Sequence, residues 1–145
     1  MRRLGVAIAN GMVAASTENR QLTAPAAARK LKTMILKPGE KIHVIHRRYF
    51  EKETRRHFVG IVEDYEGGVA RASGYVYGLD RVKFTFVRRP ELRTRIIALA
   101  SGDVLVNVIP DHVNLAAIEY KIVKKNLRVT DGSDWYLDLS EVTWL

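Results

Sequence analysis

The stretch HFVGIVEDY (57–65), EGG (66–68), VARASGYVY (69–77), GLD (78–80), RVKFTFVRR (81–89) decides how this chain folds. Three runs rich in branched and aromatic residues are separated by two short glycine-bearing breaks, the pattern of an antiparallel meander. In the last run Val82, Phe84 and Phe86 alternate with Arg81, Lys83 and Thr85, which predicts one apolar and one basic face. In the middle run Ala70, Ala72, Gly74 and Val76 share a side, small enough to let a second layer or a curved wall approach closely.

Working outward, Lys37-Pro38-Gly39-Glu40 reads as a turn. It launches a β-rich run, Lys41 to Phe50, with Ile42 and Val44 on one face and Ile45 on the other. Glu51 to Arg56 is a charged connection. Beyond Arg88-Arg89-Pro90 the spacing predicts short strands at Arg93–Ala100 and Val104–Ile109. A helix follows from Asp111 or His112 to about Ile118, with Asp111 as its N-cap. Glu119–Lys125 returns as strand, and Leu127–Thr130 pairs with Trp135–Leu139 across Asp131-Gly132-Ser133-Asp134. About eight short strands, one short helix and short turns predict a mainly all-β chain. A small antiparallel β-barrel is favoured, with a two-layer β-sandwich as the alternative. The rhythm is similar to that of Sm-like, SH3-like and OB barrels. None of their signature residues is present, so no site carries over from them.

The chain has 145 residues, no cysteine and a net charge of +8. That length suits one domain. The lack of cysteine excludes disulfides, thiolate metal sites and cysteine nucleophiles, and fits a reducing, cytoplasmic setting. No apolar run is long enough for a spanning helix, so no membrane association is expected. Residues 1–33 carry six basic residues and one acid. They read as a flexible basic tail preceding a single domain over 34–145, and their arginine-rich, acid-poor composition also resembles a targeting segment. Within the body, Lys41 to Arg95 holds 13 basic and 7 acidic residues, a net +6, whereas Ile96 to Leu145 holds 4 and 7, a net −3. The domain is dipolar, and its positive half suits an anionic partner.

Candidate chemistry is sparse. His43 and His46 fall on opposite faces of a strand, and His57 approaches one of them if the first two strands pair. No metal-ligand spacing accompanies them, and no metal or cofactor is expected. Asp131, Ser133 and Asp134 give only a fragment of a calcium loop and read as a hairpin turn. Glu63-Asp64 are adjacent and face apart, and neither a nucleophile elbow nor a phosphate loop exists, so a non-enzymatic role is expected. The arginine pairs carry more: Arg47-Arg48, Arg55-Arg56 and Arg88-Arg89, joined by Arg93 and Arg95. A planar guanidinium suits phosphate oxygens and stacks on bases, and His46, Tyr49, His57, Tyr75 and Tyr77 offer rings nearby. These residues predict an arginine-rich face for RNA or single-stranded DNA. The alternative is a protein-interaction or self-assembly domain, a homo-oligomer pairing the basic half of one copy with the acidic half of another.

Overall fold

The computed structural model describes residues 35–140. The expected tail over 1–33 lies outside them. Eight strands follow in order: β1 Lys41–His46, β2 Arg56–Glu66, β3 Val69–Asp80, β4 Thr85–Ala98, β5 Val104–Ile109, β6 Glu119–Val123, β7 Asn126–Thr130 and β8 Tyr136–Asp138. All pairings are antiparallel. They build a five-stranded sheet ordered β4-β3-β2-β1-β5 and a three-stranded sheet ordered β6-β7-β8. The mostly-β class is as predicted. The edge strands β4 and β5 do not pair, so the larger sheet stays open and no closed barrel forms. Two packed sheets fit the sandwich alternative. Among the described residues no helix is long and apolar enough to cross a membrane.

Both faces of the large sheet are apolar, as the alternation in β1 foretold. Ile45, Val59, Tyr77, Phe86 and Ile109 turn toward the small sheet and meet Val113, Ile118, Tyr120, Val129 and Leu139. Ile42, Val44, Phe58, Val62, Ala70, Ala72 and Ile97 turn the other way and, with Leu36, form a second buried cluster. The paired glycines Gly60 and Gly74 sit at the crossing of β2 and β3. A Cβ on Gly74 would lie 2.1 Å from the Val59 carbonyl oxygen, and one on Gly60 2.4 Å from that of Ser73. Only hydrogen fits on either side, and the strands close in and bend there.

Irregularities in the ladders add to the bend. Between β2 and β3 the register shifts from Val62 to Asp64, which leaves Glu63 in the irregularity, bonded to Arg71 Nε at 2.9 Å and to the Ser73 hydroxyl. Between β3 and β4 it shifts across Tyr75 and Tyr77. Opposite lies Pro90, tolerated because β4 is an edge strand. The two strands predicted on either side of Pro90 are therefore one strand of 14 residues.

Two local expectations are corrected. Val82 and Phe84 do not belong to an apolar strand face; they are 89 % and 75 % exposed in the turn at 81–84, where Phe84 has φ +51°. Strand β3 runs on to Asp80, whose Oδ1 accepts from the amides of Val82 (2.8 Å) and Lys83 (3.1 Å) and so ties the turn there. The predicted helix from Asp111 or His112 to Ile118 shrinks to a single 3-10 turn, Leu115–Ala117, capped by the Asn114 side chain and not by Asp111. The carbonyls of Asp111 and Val113, which would open a helix ladder, instead accept from Lys41 Nζ at 2.5 and 2.7 Å. Val113 and Ile118 are thereby drawn into the core, 0 % and 6 % exposed.

Candidate nucleic-acid interface

The curled face of the large sheet is apolar along most of its length and cationic at its mouth. Along β1, Ile42 and Val44 lead to His46; along β4, Ile97 leads back through Arg95 to Arg93, all on the same side of their strands. By the register that sets Ile45 opposite His57, His46 comes opposite Arg56. Arg95 lies opposite Ala72 and Arg93 opposite Gly74, residues too small to block them from reaching across the curl. The result is two adjoining depressions that share Thr54, Arg56, Val76 and Arg95. One is walled by the connection from Arg47 to Thr54, with Arg48 and Lys52, and also lined by His46, Phe58 and, at the edge of its floor, His57. The other continues past Gly78 to Arg89, Glu91 and Arg93. Each encloses about 460 Å³.

Six of the eight predicted arginines, Arg47, Arg48, Arg56, Arg89, Arg93 and Arg95, thus line one continuous groove. The other two do not join them. Arg88 points to the opposite face, donating to the Ala116 carbonyl (3.2 Å) and lying 4.9 Å over the Tyr75 ring, and Arg55 is outside the lining. Among the described residues, only Arg93 of the six forms an ion pair, with Glu91 at 3.6 Å. The other carboxylate in the lining, Glu53, accepts at Oε2 from the amides of Tyr49 (3.0 Å) and Phe50 (3.5 Å) and so shapes the connection. The groove is therefore short of counter-charge. His46 senses this. Desolvation first, then the Arg95 and Arg56 guanidiniums, hold its pKa below the usual imidazole value.

The predicted rings divide differently from expectation. Tyr75 is half-buried against the inter-sheet core, and Tyr77 and His57 are 1 % and 5 % exposed inside it. Facing the small sheet, they are not available to stack on bases. Two rings on the β1–β2 connection are open instead: Tyr49, 59 % exposed with the Arg47 guanidinium 5.8 Å from its centroid, and Phe50, 70 % exposed. Phe50 escaped notice because it ends an apparent strand, and only its exposure distinguishes it from a core residue.

His57 has a different role, foreshadowed by its pairing with β1. His43 Nε2 lies 3.3 Å from His57 Nδ1, and the Tyr120 hydroxyl stands 3.1 and 3.0 Å from those two atoms. Asn107 Nδ2 reaches His43 Nδ1 at 3.4 Å. One assignment satisfies three of these four contacts: Asn107 donates to His43 Nδ1, His43 Nε2–H donates to Tyr120, and Tyr120 donates to His57 Nδ1. Both imidazoles are then neutral. Burial holds their pKa values down to about 4 for His43 and about 3 for His57, the latter also disfavoured by His43. Among the described residues no three histidine or carboxylate groups converge as metal ligands, and this cluster reads as a polar latch between the sheets. Tyr120→Phe removes the hydroxyl that bridges the rings and strands His57 Nδ1 in the core. Its unfolding free energy is expected to fall by about 1–3 kcal/mol, read from urea denaturation at pH 7.5.

Comparison with protein-family models, curated proteins and solved structures returns no match for this chain.

Proposed function

We propose that this protein is a non-enzymatic β module that binds single-stranded nucleic acid, RNA or DNA, in the arginine groove at the mouth of its curled sheet. The observation that carries this reading is the convergence of Arg47, Arg48, Arg56, Arg89, Arg93 and Arg95 on one continuous depression, with one ion pair among them in the described residues. Guanidiniums that outnumber the carboxylates of a groove, here Glu53 and Glu91, favour a bound anion, and the fork of each matches a phosphate. The groove runs along extended backbone. It suits a flexible strand better than a duplex, and Tyr49 and Phe50 beside it supply exposed rings for bases.

Phosphate neutralisation then dominates the affinity, with weak preference for sequence. Polarisation titrations of labelled oligouridine and oligothymidine are expected to show log Kd rising linearly with log salt concentration. Replacing Arg56 and Arg95, which serve both halves of the groove, by glutamine is expected to weaken binding roughly tenfold or more at 0.1 M salt and to flatten that slope by about 1.4. Binding that ignores salt, or a double variant that binds as the wild type does, contradicts this function.

A further inference from the structure

The two halves of the groove differ. The half bounded by the Arg47–Thr54 connection is somewhat the more enclosed and reaches the buried ring of Phe58. The half along β4 is the more open, and its Arg93 is already partly neutralised by Glu91. A strand lying in the groove has an open run along β4 at one end and the Arg47–Thr54 connection beside it at the other.

Charge follows the same division. Of the cations that line one half alone, Arg47, Arg48 and Lys52 stand in the walled half with Glu53, and Arg89 and Arg93 in the other with Glu91, while Arg56 and Arg95 serve both. An internal phosphodiester carries one negative charge. A terminal phosphate monoester carries up to two near neutral pH, with a second pKa of about 6. So dense a set of donors against an apolar floor is matched better by the dianion.

Resting on the proposed function, we propose that the walled half is a terminal-phosphate site. It anchors the phosphorylated end of a single-stranded nucleic acid through His46, Arg56 and Arg95, while the strand runs out along β4 past Arg89 and Arg93. His46 stands at the end of β1, exposed, opposite Arg56 and within the field of Arg95. Desolvation first, then the Arg95 and Arg56 guanidiniums, disfavour its protonation in the empty site. A bound dianion offsets both guanidiniums and lets the imidazole take a proton and donate to a phosphate oxygen. The other charged groups around it, Arg47, Arg48, Lys52 and Glu53, belong to the connection. A diester, with half the charge, offsets less of that field.

The test uses the full chain and three twelve-residue uridine oligonucleotides: one with a 5′-phosphate, one with a 3′-phosphate and one with hydroxyls at both ends, labelled away from the tested end. One of the phosphorylated ends is expected to bind roughly tenfold more tightly than the hydroxyl form at pH 7. His46→Gln or Arg95→Gln should abolish that preference. Arg93→Gln should weaken all three alike, with circular dichroism confirming that each variant is folded. Histidine NMR provides a second readout: the His46 pKa should rise when the preferred oligonucleotide is added. Equal binding of the three oligonucleotides, or a preference untouched by His46→Gln and Arg95→Gln, overturns the terminal-phosphate site and leaves the groove function standing. Failure of all three to bind overturns both.

Discussion

Gly74→Ala is expected to lower the unfolding free energy by about 3 kcal/mol or more, because the added methyl group has no room. The added Cβ would lie 2.1 Å from the Val59 carbonyl oxygen and 2.5 Å from Gly60 Cα. Both neighbours are backbone of the paired strand, held in the ladder by the flanking pairs Val59–Tyr75 and Ile61–Ser73, so no side chain can swing aside. Relief requires β2 and β3 to part where the sheet curls, which loosens Phe58 and Ala72 in the buried cluster below. Thermal denaturation should show a midpoint lower by about 10 °C or more. Gly67→Ala, by contrast, meets nothing within 4 Å and suffers only its positive φ of 57°; it is expected to cost about 1 kcal/mol. Equal melting of the two variants would refute the close approach as the cause of the curl.

Stability should also fall steeply in mild acid, before the carboxylates titrate. In the unfolded chain His43 and His57 take up protons near pH 6.5, whereas in the fold they stay neutral until about pH 4 and about pH 3. Between those limits the unfolded state binds more protons, so lowering the pH favours unfolding; the contribution is complete above pH 6.5 and lost toward the folded values. For His43 alone the difference corresponds to about 3 kcal/mol, and His57 acts in the same direction. Asp131, at about 2, and the lowered Glu63, Asp80 and Asp138 share that sign, but they act from about pH 5 downward. The interval from about pH 6.5 to 5 therefore belongs mainly to the histidines. Guanidinium denaturation midpoints at pH 7.5 and about 5 should differ widely in the wild type and far less in the His43→Gln/His57→Gln double variant. Imidazole NMR signals of His43 and His57 should remain those of neutral rings at pH 5. Signals that titrate near 6.5 would sink this account of the latch.

Much of the architecture follows from alternation alone. Ile42 and Val44 against Ile45, and Ala70, Ala72, Gly74 and Val76 against Tyr75 and Tyr77, are period-two patterns that declare strands with two buried faces. The small side of the middle run correctly announced a close approach. Alternation fails where a local polar bond outweighs it. Asp80 ties a turn that takes Val82 and Phe84 out of the sheet, and Lys41, distant in sequence, takes the carbonyls that a helix after Asp111 would have used. Neither competition can be read from spacing.

The arginine pairs show the same division. Their abundance and their place at strand ends are properties of the sequence, and they point to an anionic partner. Which of them share a surface is a property of the register. Arg89 and Arg88 are neighbours that part to opposite faces, while Arg56 and Arg95, 39 positions apart, meet at one groove because the small residues of β3 let the sheet curl between them. His57 and His46 both border the groove, but His57 is buried and bonded to Tyr120 in the latch, whereas His46 stays exposed at the groove's mouth. Composition and periodicity determined by themselves that this chain is a basic, mostly-β protein. Only the tertiary structure decided which cations act together, because convergence depends on strand pairing and curvature set by contacts far apart along the chain.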